Sequence, residues 1–490
     1  MIDLPVLSVL LLVPLAGAAL VGILPGTRPL LIRRVCIAVA SLTLIYAWAL
    51  LGGFDTSAAG LQWVERHAWN PRLGTSFALG LDGFSYPMVL LATLLCMVAV
   101  LASGNIGERV KGYYLLLLIL EAAMLGVFMA QDWSLFYVFW EGTLIPLFFL
   151  IDRWGGKGRQ SASLNFVLYT MGGSVFMLIS LLALFDAVPG HSFAFADLQN
   201  GGRLLEEQTQ VLIFLGLLIG FGVKMPIFPI HGWLPLAHVE APSPVSILLS
   251  GILLKMGSYG LVRAAQTLPA AVTALQGVLV FLALVSLIYG GLLAWRQSDL
   301  KAMIAYSSVS HMGLVLLGIA ALNVAGLTGA VMQMVAHGLV AGVLFLLIGL
   351  LYERTHTRDV RQYSSLVRVT PRFAFFTVLA FVGAVGLPGT AGFVAELHTL
   401  IGGFQRWGWL VVLLSVGVLI SAAYAIRTVS RLFTGPVRPR MREVRDLGPT
   451  ELLAAGALTA GVLVLGVFPR YAVQLMAASV ARLSAVLAGA

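Results

Sequence analysis

Charge is scarce in this chain: aspartate, glutamate, lysine and arginine make up only 10% of its 490 residues, and just five are lysines. A soluble globular domain carries about 25% charged residues, so that class is excluded. Cysteine is scarcer still. Cys36 and Cys96 stand in separate apolar segments without C-x-x-C spacing, which leaves no framework for an iron–sulfur cluster, zinc or a disulfide. Also missing are G-x-x-x-x-G-K-[ST], G-x-G-x-x-G and H-E-x-x-H. The chain is therefore expected to hydrolyse no nucleotide and to carry no cofactor, metal or redox centre. Its energy has to come from an ion gradient or from partner subunits.

What is present is apolar. Hydrophobic residues make up 59% of the chain and the mean hydropathy is +0.96, which points to a polytopic all-α membrane protein. Apolar runs of about 18 residues or more give 14 expected spans, at 4–24, 33–52, 84–103, 113–130, 133–151, 164–185, 210–227, 243–262, 271–295, 301–321, 327–351, 372–400, 407–432 and 451–468. The stretch from Tyr471 to Ala490 is too polar and short for a span and is expected at the interface or along a neighbour. The opening MIDLPVLSVLLLVPLAG lacks a basic n-region and reads as a first span rather than a cleaved signal.

The formal charge of +9 reflects orientation in the bilayer and not nucleic-acid binding. If the loop with Arg28, Arg33 and Arg34 is cytoplasmic, alternation makes most other basic loops cytoplasmic too. These hold Arg109/Lys111, Arg153/Lys157/Arg159, Arg296/Lys301, Arg354–Arg372 and Arg438–Arg445. Arg263 and Arg406 are exceptions. Both termini are then expected on the periplasmic side of a bacterial inner membrane.

Two spans are interrupted, the seventh by Lys-Met-Pro-Ile-Phe-Pro at 224–229 and the twelfth by Gly-Leu-Pro-Gly-Thr at 386–390. Proline removes a donor and blocks the preceding turn. Broken helices at membrane depth survive only when buried in protein or lining a cavity, and in transporters they mark ion sites, often one per inverted repeat. Each break adjoins an ionisable residue, Lys224 or Glu396. The interval from Lys224 to Glu396 also equals that from Asn165 to His337. We expect two five-helix inverted repeats, spans 4–8 and 9–13. The corresponding divisions are 1–112, 113–265, 266–432 and 433–490.

The ionisable residues inside the spans are the candidate site. A charge at mid-bilayer costs about 2.5–3.5 kcal/mol on insertion scales, so it marks function by default. Glu141, in SLFYVFWEGTLIPLFF, has Lys224 as its natural partner. Burial and mutual attraction pull their protonation in opposite directions, so such a pair can hold a proton on either member; a static packing pair is the plainer alternative. Lys255 has Gly251 at i−4 and Ser258 at i+3 on one face. Lys301, an interfacial snorkel in the plainer reading, has Ser308 and His311 along its helix, and lysine, hydroxyl and imidazole together suit a proton wire. His337 follows Gln333 by a turn; a hydrogen-bonded core histidine is its alternative. Glu396 has only His398 nearby to neutralise it, and Glu121 is expected to face Arg or Lys of another span or chain. His231, His238 and Glu240 match no familiar metal site and suit gating or structure.

Several long motifs carry a family resemblance. GFGVKMPIFPIHGWLPLAHVEAPSPVS, LLKMGSYGLVR, DLKAMIAYSSVSHMG, MQMVAHGL and GLPGTAGFVAEL closely resemble the antiporter-like membrane subunits of respiratory complex I, the M type above all. The likeness runs from about residue 75 to 470, and Glu396, where some sister subunits have lysine, favours M over the L and N types. The resemblance implies a proton-translocating subunit of an NADH:quinone oxidoreductase, an enzyme complex whose electron transfer takes place in other subunits. Its implied partners are neighbouring membrane-arm subunits and the lipid bilayer. It makes Glu141 and Lys224 the paired charges of a first half-channel, Lys255 the central relay, His311 and His337 the continuing axis and Glu396 its terminus. Asn165 stands where relatives often have lysine, and Leu236 where many have an acidic residue. A homologous subunit of a multisubunit cation/proton antiporter or of a membrane-bound hydrogenase is the nearest alternative.

Overall fold

The computed structural model describes residues 5–489. The first helices are α1 (Val6–Ile23) and α2 (Pro29–Ala49), followed by a β-hairpin of β1 (Gln62–Asn70) and β2 (Thr75–Leu81). The hairpin was not expected and, among the described residues, is the one strand-forming departure from an all-helical chain. Its antiparallel register pairs Gln62 with Leu81 and Asn70 with Thr75. It is pinned to the bundle by Glu65, whose carboxylate accepts from the amides of Leu7 and Ser8 at the start of α1. We call this side of the bundle the hairpin face and the opposite side, where most arginine-rich loops lie, the basic face.

Helix α3 (Tyr86–Ala102) precedes the first repeat, which begins with α4 (Val110–Met129), α5 (Trp133–Gly142), α6 (Leu144–Trp154) and α7 (Arg159–Ala187). It continues with α8 (Phe195–Gly202), α9 (Glu207–Lys224), α10 (Trp233–Glu240), α11 (Ser243–Leu248) and α12 (Leu254–Thr267). The second has α13 (Pro269–Ala274), α14 (Gln276–Arg296), α15 (Leu300–Ala320), α16 (Val324–Thr355), α17 (Leu366–Val369), α18 (Pro371–Ala384), α19 (Ala391–Trp407) and α20 (Val412–Phe433). The chain ends with α21 (Pro449–Val467) and α22 (Arg470–Ala488). The first span of one repeat, α4, rises from the basic face, whereas α14 descends from the hairpin face, so the two repeats run in opposite senses.

Among the described residues, 14 helices are long and apolar enough to cross a membrane. The total matches the expectation, but its membership differs. The expected twelfth span is two helices, α18 and α19, parted at 385–390, so neither half qualifies alone. In its place stands α22, which has the length yet lies across the hairpin face. Its Ser479 hydroxyl accepts from Gly83 N just before α3, and it shares a cavity wall with Asp82, Arg203 and Arg263.

The core is built around α11–α12, α15 and α16, whose apolar stretches are almost wholly buried. Glycine permits the closest approaches. A Cβ at Gly257 of α12 would meet Phe221 O at 2.6 Å and Met225 N at 2.8 Å, at the point where α9 breaks. Peripheral helices such as α2 and α7 instead present rows of apolar side chains outward, among them Leu164, Leu168 and Val175. Such a surface is suited to lipid or to neighbouring chains.

The two arginines that broke the loop-charge pattern are accounted for. Arg263 is buried and paired with Asp82 at 2.7 Å, and Arg406 donates from Nη2 to Gln276 Oε1 at 2.9 Å. Neither needs the basic face.

Candidate functional site

The first break places Lys224. Helix α9 ends at Lys224 and the chain resumes as a helix only at Trp233, because Pro226 and Pro229 cannot donate and disrupt the turns before them. The Lys224 ammonium is buried at the C-terminal end of α9. It donates to Thr143 Oγ1 at 2.9 Å and to Trp140 O at 3.4 Å, and stands 4.1 Å from the centre of a Trp140 ring. Thr143 sits at the junction of α5 and α6. Trp140 is itself fixed by Nε1 donating to Ser174 Oγ at 3.0 Å on α7.

The expected Glu141–Lys224 ion pair is not formed. Among the described residues no ion pair includes either side chain. The reason is the rotation of α5. Glu141 lies between Val138, 48% exposed, and Ile145, 64% exposed, on the outward side, while Trp140 and Thr143 point inward. Glu141 is half-buried, and its Oε1 has no hydrogen-bond partner.

Lys255 follows a local irregularity. A π-turn at Leu249–Leu253 joins α11 to α12. π-Bulges of this kind recur at functional sites. Here the Ser250 carbonyl accepts from Lys255 Nζ at 2.7 Å. Lys255 Nζ also lies 2.6 Å from His337 Nδ1 on α16, and whichever group holds the proton donates. Glycines let the two helices approach beside it: a Cβ at Gly338 of α16 would meet Gly251 O at 2.9 Å. Ser258 is not a partner of the lysine, since its hydroxyl donates back to Leu254 O.

The line continues through the second break. His337 and His311 are 5.3 Å apart between ring centres, edge to face. His311 Nε2 lies 3.1 Å from Ala384 O, the last residue of α18. His311, Gln333, His337 and Glu396 together line a cavity of about 10 Å³, which is at the threshold for one water molecule. Gln333 Oε1 is buried there without a partner, the kind of group that buried water satisfies. Glu396, on the second turn of α19, folds its carboxylate back beside Gly386 in the break. His398 does not neutralise it, because its ring nitrogen faces Val394 O of its own helix at 2.8 Å.

Lys301 is fully interior and not an interfacial snorkel: it is 3% exposed and donates to Ala241 O at 2.7 Å. Ser308 on the same helix is 3.0 Å from Ser250 Oγ, linking α15 to the π-turn beside Lys255. His238 was left open between gating and structure. It is wholly buried, stacked on Phe345 at 4.4 Å, and both ring nitrogens lack partners. Its backbone carbonyl accepts from the Ser246 hydroxyl of α11 at 3.4 Å. Nothing in its sequence spacing marked that place. Thr143, Ser250 and Gln333 are further polar groups of the line, and only Gln333 had a spacing signal, one turn before His337.

Other residues fall outside. The Glu240 carboxylate accepts from Gly158 N at 2.8 Å and fastens the α6–α7 loop. Asn165 spends its amide on Ser161 O, one turn back on α7. Glu121 is buried with neither carboxylate oxygen partnered, so the cation expected opposite it is not supplied within the described chain. Among the described residues no group of three or more His, Cys, Asp or Glu side chains could hold a metal ion.

Two oppositely oriented repeats, a helix broken in each and a buried row of lysine, histidine and glutamate between the breaks define an antiporter-like polytopic membrane protein. The chain belongs to the NADH:quinone oxidoreductase/Mrp antiporter transmembrane family, whose model matches residues 130–421. It is 40% identical over 492 residues to NADH-quinone oxidoreductase subunit M of Rhodobacter capsulatus, with 97% of this chain and 96% of that one covered. It is 42% identical over 483 residues to NAD(P)H-quinone oxidoreductase chain 4 1 of Synechococcus elongatus, covering 96% and 90%. Among solved structures it is similar to a chain of respiratory complex I from Thermus thermophilus with bound NADH. That match has a TM-score of 0.90 and 33% identity, and covers 98% and 99% of the two chains.

Proposed function

We propose that this chain is a proton-translocating membrane-arm subunit of an NADH:quinone oxidoreductase, working beside other membrane-arm subunits in a bacterial inner membrane. The single observation that carries the reading is the line from Lys255 through His337 and the small cavity to His311 and Glu396. Ammonium, imidazole and carboxylic acid can each release and accept a proton, and the cavity that the two histidines share with Glu396 is about the size of one water. Relatives named as quinone oxidoreductase subunits favour an energy source in electron transfer elsewhere in the complex. The alternative as an antiporter subunit shares the fold and the line of charges.

In this reading protons enter from the basic face, which is the cytoplasmic side, near Lys301. They pass through His238 to Lys255 and move along the histidines to Glu396. Both described ends of the chain then face the periplasm. Lys224 and Glu141 form the input that the rest of the complex controls. Lys224 is held by a neutral hydroxyl and a ring, both weaker partners than a carboxylate, so a change of charge beside Glu141 alters the balance between two positions of the ammonium. Residues 113–265 and 266–432 are the two translocating repeats, with 1–112 and 433–490 as flanking parts.

Lys255→Ala tests this directly. We expect the complex to assemble on native gels while NADH:quinone electron transfer and proton pumping fall together by about tenfold or more, since a positioned acid–base group contributes on the order of 10²–10⁴. Near wild-type pumping in an assembled Lys255→Ala complex would end the proposal.

A further inference from the structure

At the hairpin face, away from the buried line, a cavity of about 190 Å³ opens between α22, α8 and the end of α12. Three arginines converge on it: Arg203 just after α8, Arg263 on α12 and Arg482 on α22. One carboxylate, Asp82, also lines it, and that one is committed. It accepts from Arg263 Nη1 at 2.7 Å and from the amides of Phe84 and Ser85, each at 3.0 Å. Burial pushes the Asp82 carboxyl up, but the Arg263 cation and these amides outweigh it and hold it below the ordinary range.

Arg203 and Arg482 therefore face the cavity without a counter-charge; among the described residues neither takes part in an ion pair. Arg203 Nε donates to Gln266 O at 3.2 Å, which leaves its terminal nitrogens free. Arg203 and Arg482 are both exposed and line the same cavity, which brings the two cations together at its rim. Arg263 is 3% exposed, and its Nε and Nη2 have no hydrogen-bond partner among the rings of Tyr259, Phe195 and Phe84. The Ser479 hydroxyl accepts from Gly83 N and keeps its own proton to donate. Like charges held together in a recess repel, and an anion between them removes that cost. Guanidinium forks match phosphate oxygens in particular. The volume is below the roughly 300–1,000 Å³ of drug-sized sites, so it suits one compact anionic group.

We infer that this cavity binds a single phosphate group, of an anionic phospholipid headgroup or free inorganic phosphate, and that the anion ties α22 to α8 and α12. The site owes nothing to the proposed proton path and stands or falls separately from it.

The test uses the assembly purified from its native membrane and depleted of lipid. Hydrogen exchange of residues 470–488 and 195–203 is followed while phosphatidylglycerol, inorganic phosphate or uncharged diacylglycerol is added. We expect protection by phosphatidylglycerol, with diacylglycerol inert. Equal protection by inorganic phosphate assigns the site to any phosphate; protection by the lipid alone assigns it to the headgroup. The Arg203→Gln/Arg482→Gln variant should raise the half-protecting concentration by about tenfold or more, the loss expected for charge-assisted hydrogen bonds, and Arg203→Lys/Arg482→Lys should restore part of it. If the double glutamine variant fails to assemble, Arg482→Gln alone is read in the same way. Protection by diacylglycerol, protection indifferent to the substitutions, or no protection at all would overturn the assignment. The same holds for protection already complete without lipid or phosphate, which would mean a neighbouring chain meets these arginines.

Discussion

Replacing Gly386 by alanine removes no ionisable group, yet it should disable the second half of the buried line. Gly386 sits in the break between α18 and α19 at φ +70°, and a Cβ there would run into the Glu396 carboxyl group, with Cδ only 2.8 Å away. A left-handed backbone costs an L-residue about 1–2 kcal/mol, small beside the 5–15 kcal/mol of a typical domain. The clashing atoms are the far end of a flexible side chain, so the backbone stays and the carboxylate moves. It then leaves a cavity of about 10 Å³ that has no slack to keep a water between it and the histidines. Displacements of about 1 Å can cost on the order of 100-fold where orientation governs transfer; we expect at least about a tenfold fall in pumping and in coupled NADH:quinone turnover. Gly389→Ala is the control. Its φ is +92° and nothing lies within 4 Å of its Cβ position, so it carries similar strain without touching Glu396 and should stay within about twofold of wild type. The assay is fluorescence quenching by proton uptake in inverted membrane vesicles, with assembly followed on native gels. If the two variants behave alike, whether both active or both dead, the placement of Glu396 is not what the break is for.

Two further outcomes follow from packing. Gly257→Ala would push a Cβ into Phe221 O and Met225 N, backbone atoms that cannot swing aside; the overpacking costs about 1–3 kcal/mol. The amount of assembled complex should drop, and normal assembly with full activity would contradict the close α9–α12 contact. Asp82→Ala leaves the Arg263 cation buried and unpaired, a loss of about 3–5 kcal/mol, whereas Asp82→Leu with Arg263→Met removes both charges and should be far milder. Thermal dissociation of the complex measures both, and equal damage from the single and double changes would mean the pair is not a buried ion pair.

Much of this molecule was legible in its residues, because the relevant free energies are local. Apolar length fixes where a helix can cross a bilayer, and Pro226, Pro229 and Pro388 stand with neighbouring glycines where two helices break, whereas Pro14 is carried inside α1. A lysine among leucines announces its own cost. Lys224, Lys255, His337 and Glu396 could be named for that reason alone, and so could the breaks beside two of them. Rotation and packing decided the rest. One residue's turn on α5 sends Glu141 outward and Thr143 inward, and no hydropathy value carries that angle. Whether His238 stacks on Phe345, or whether Glu396 folds back to Gly386, depends on helices meeting at a given depth. The hairpin that anchors α1 was settled in the same way, whereas the polarity of 471–490 had already set that stretch apart from the spans. Composition measures how readily a segment leaves water; only the tertiary structure chooses which neighbours it meets there.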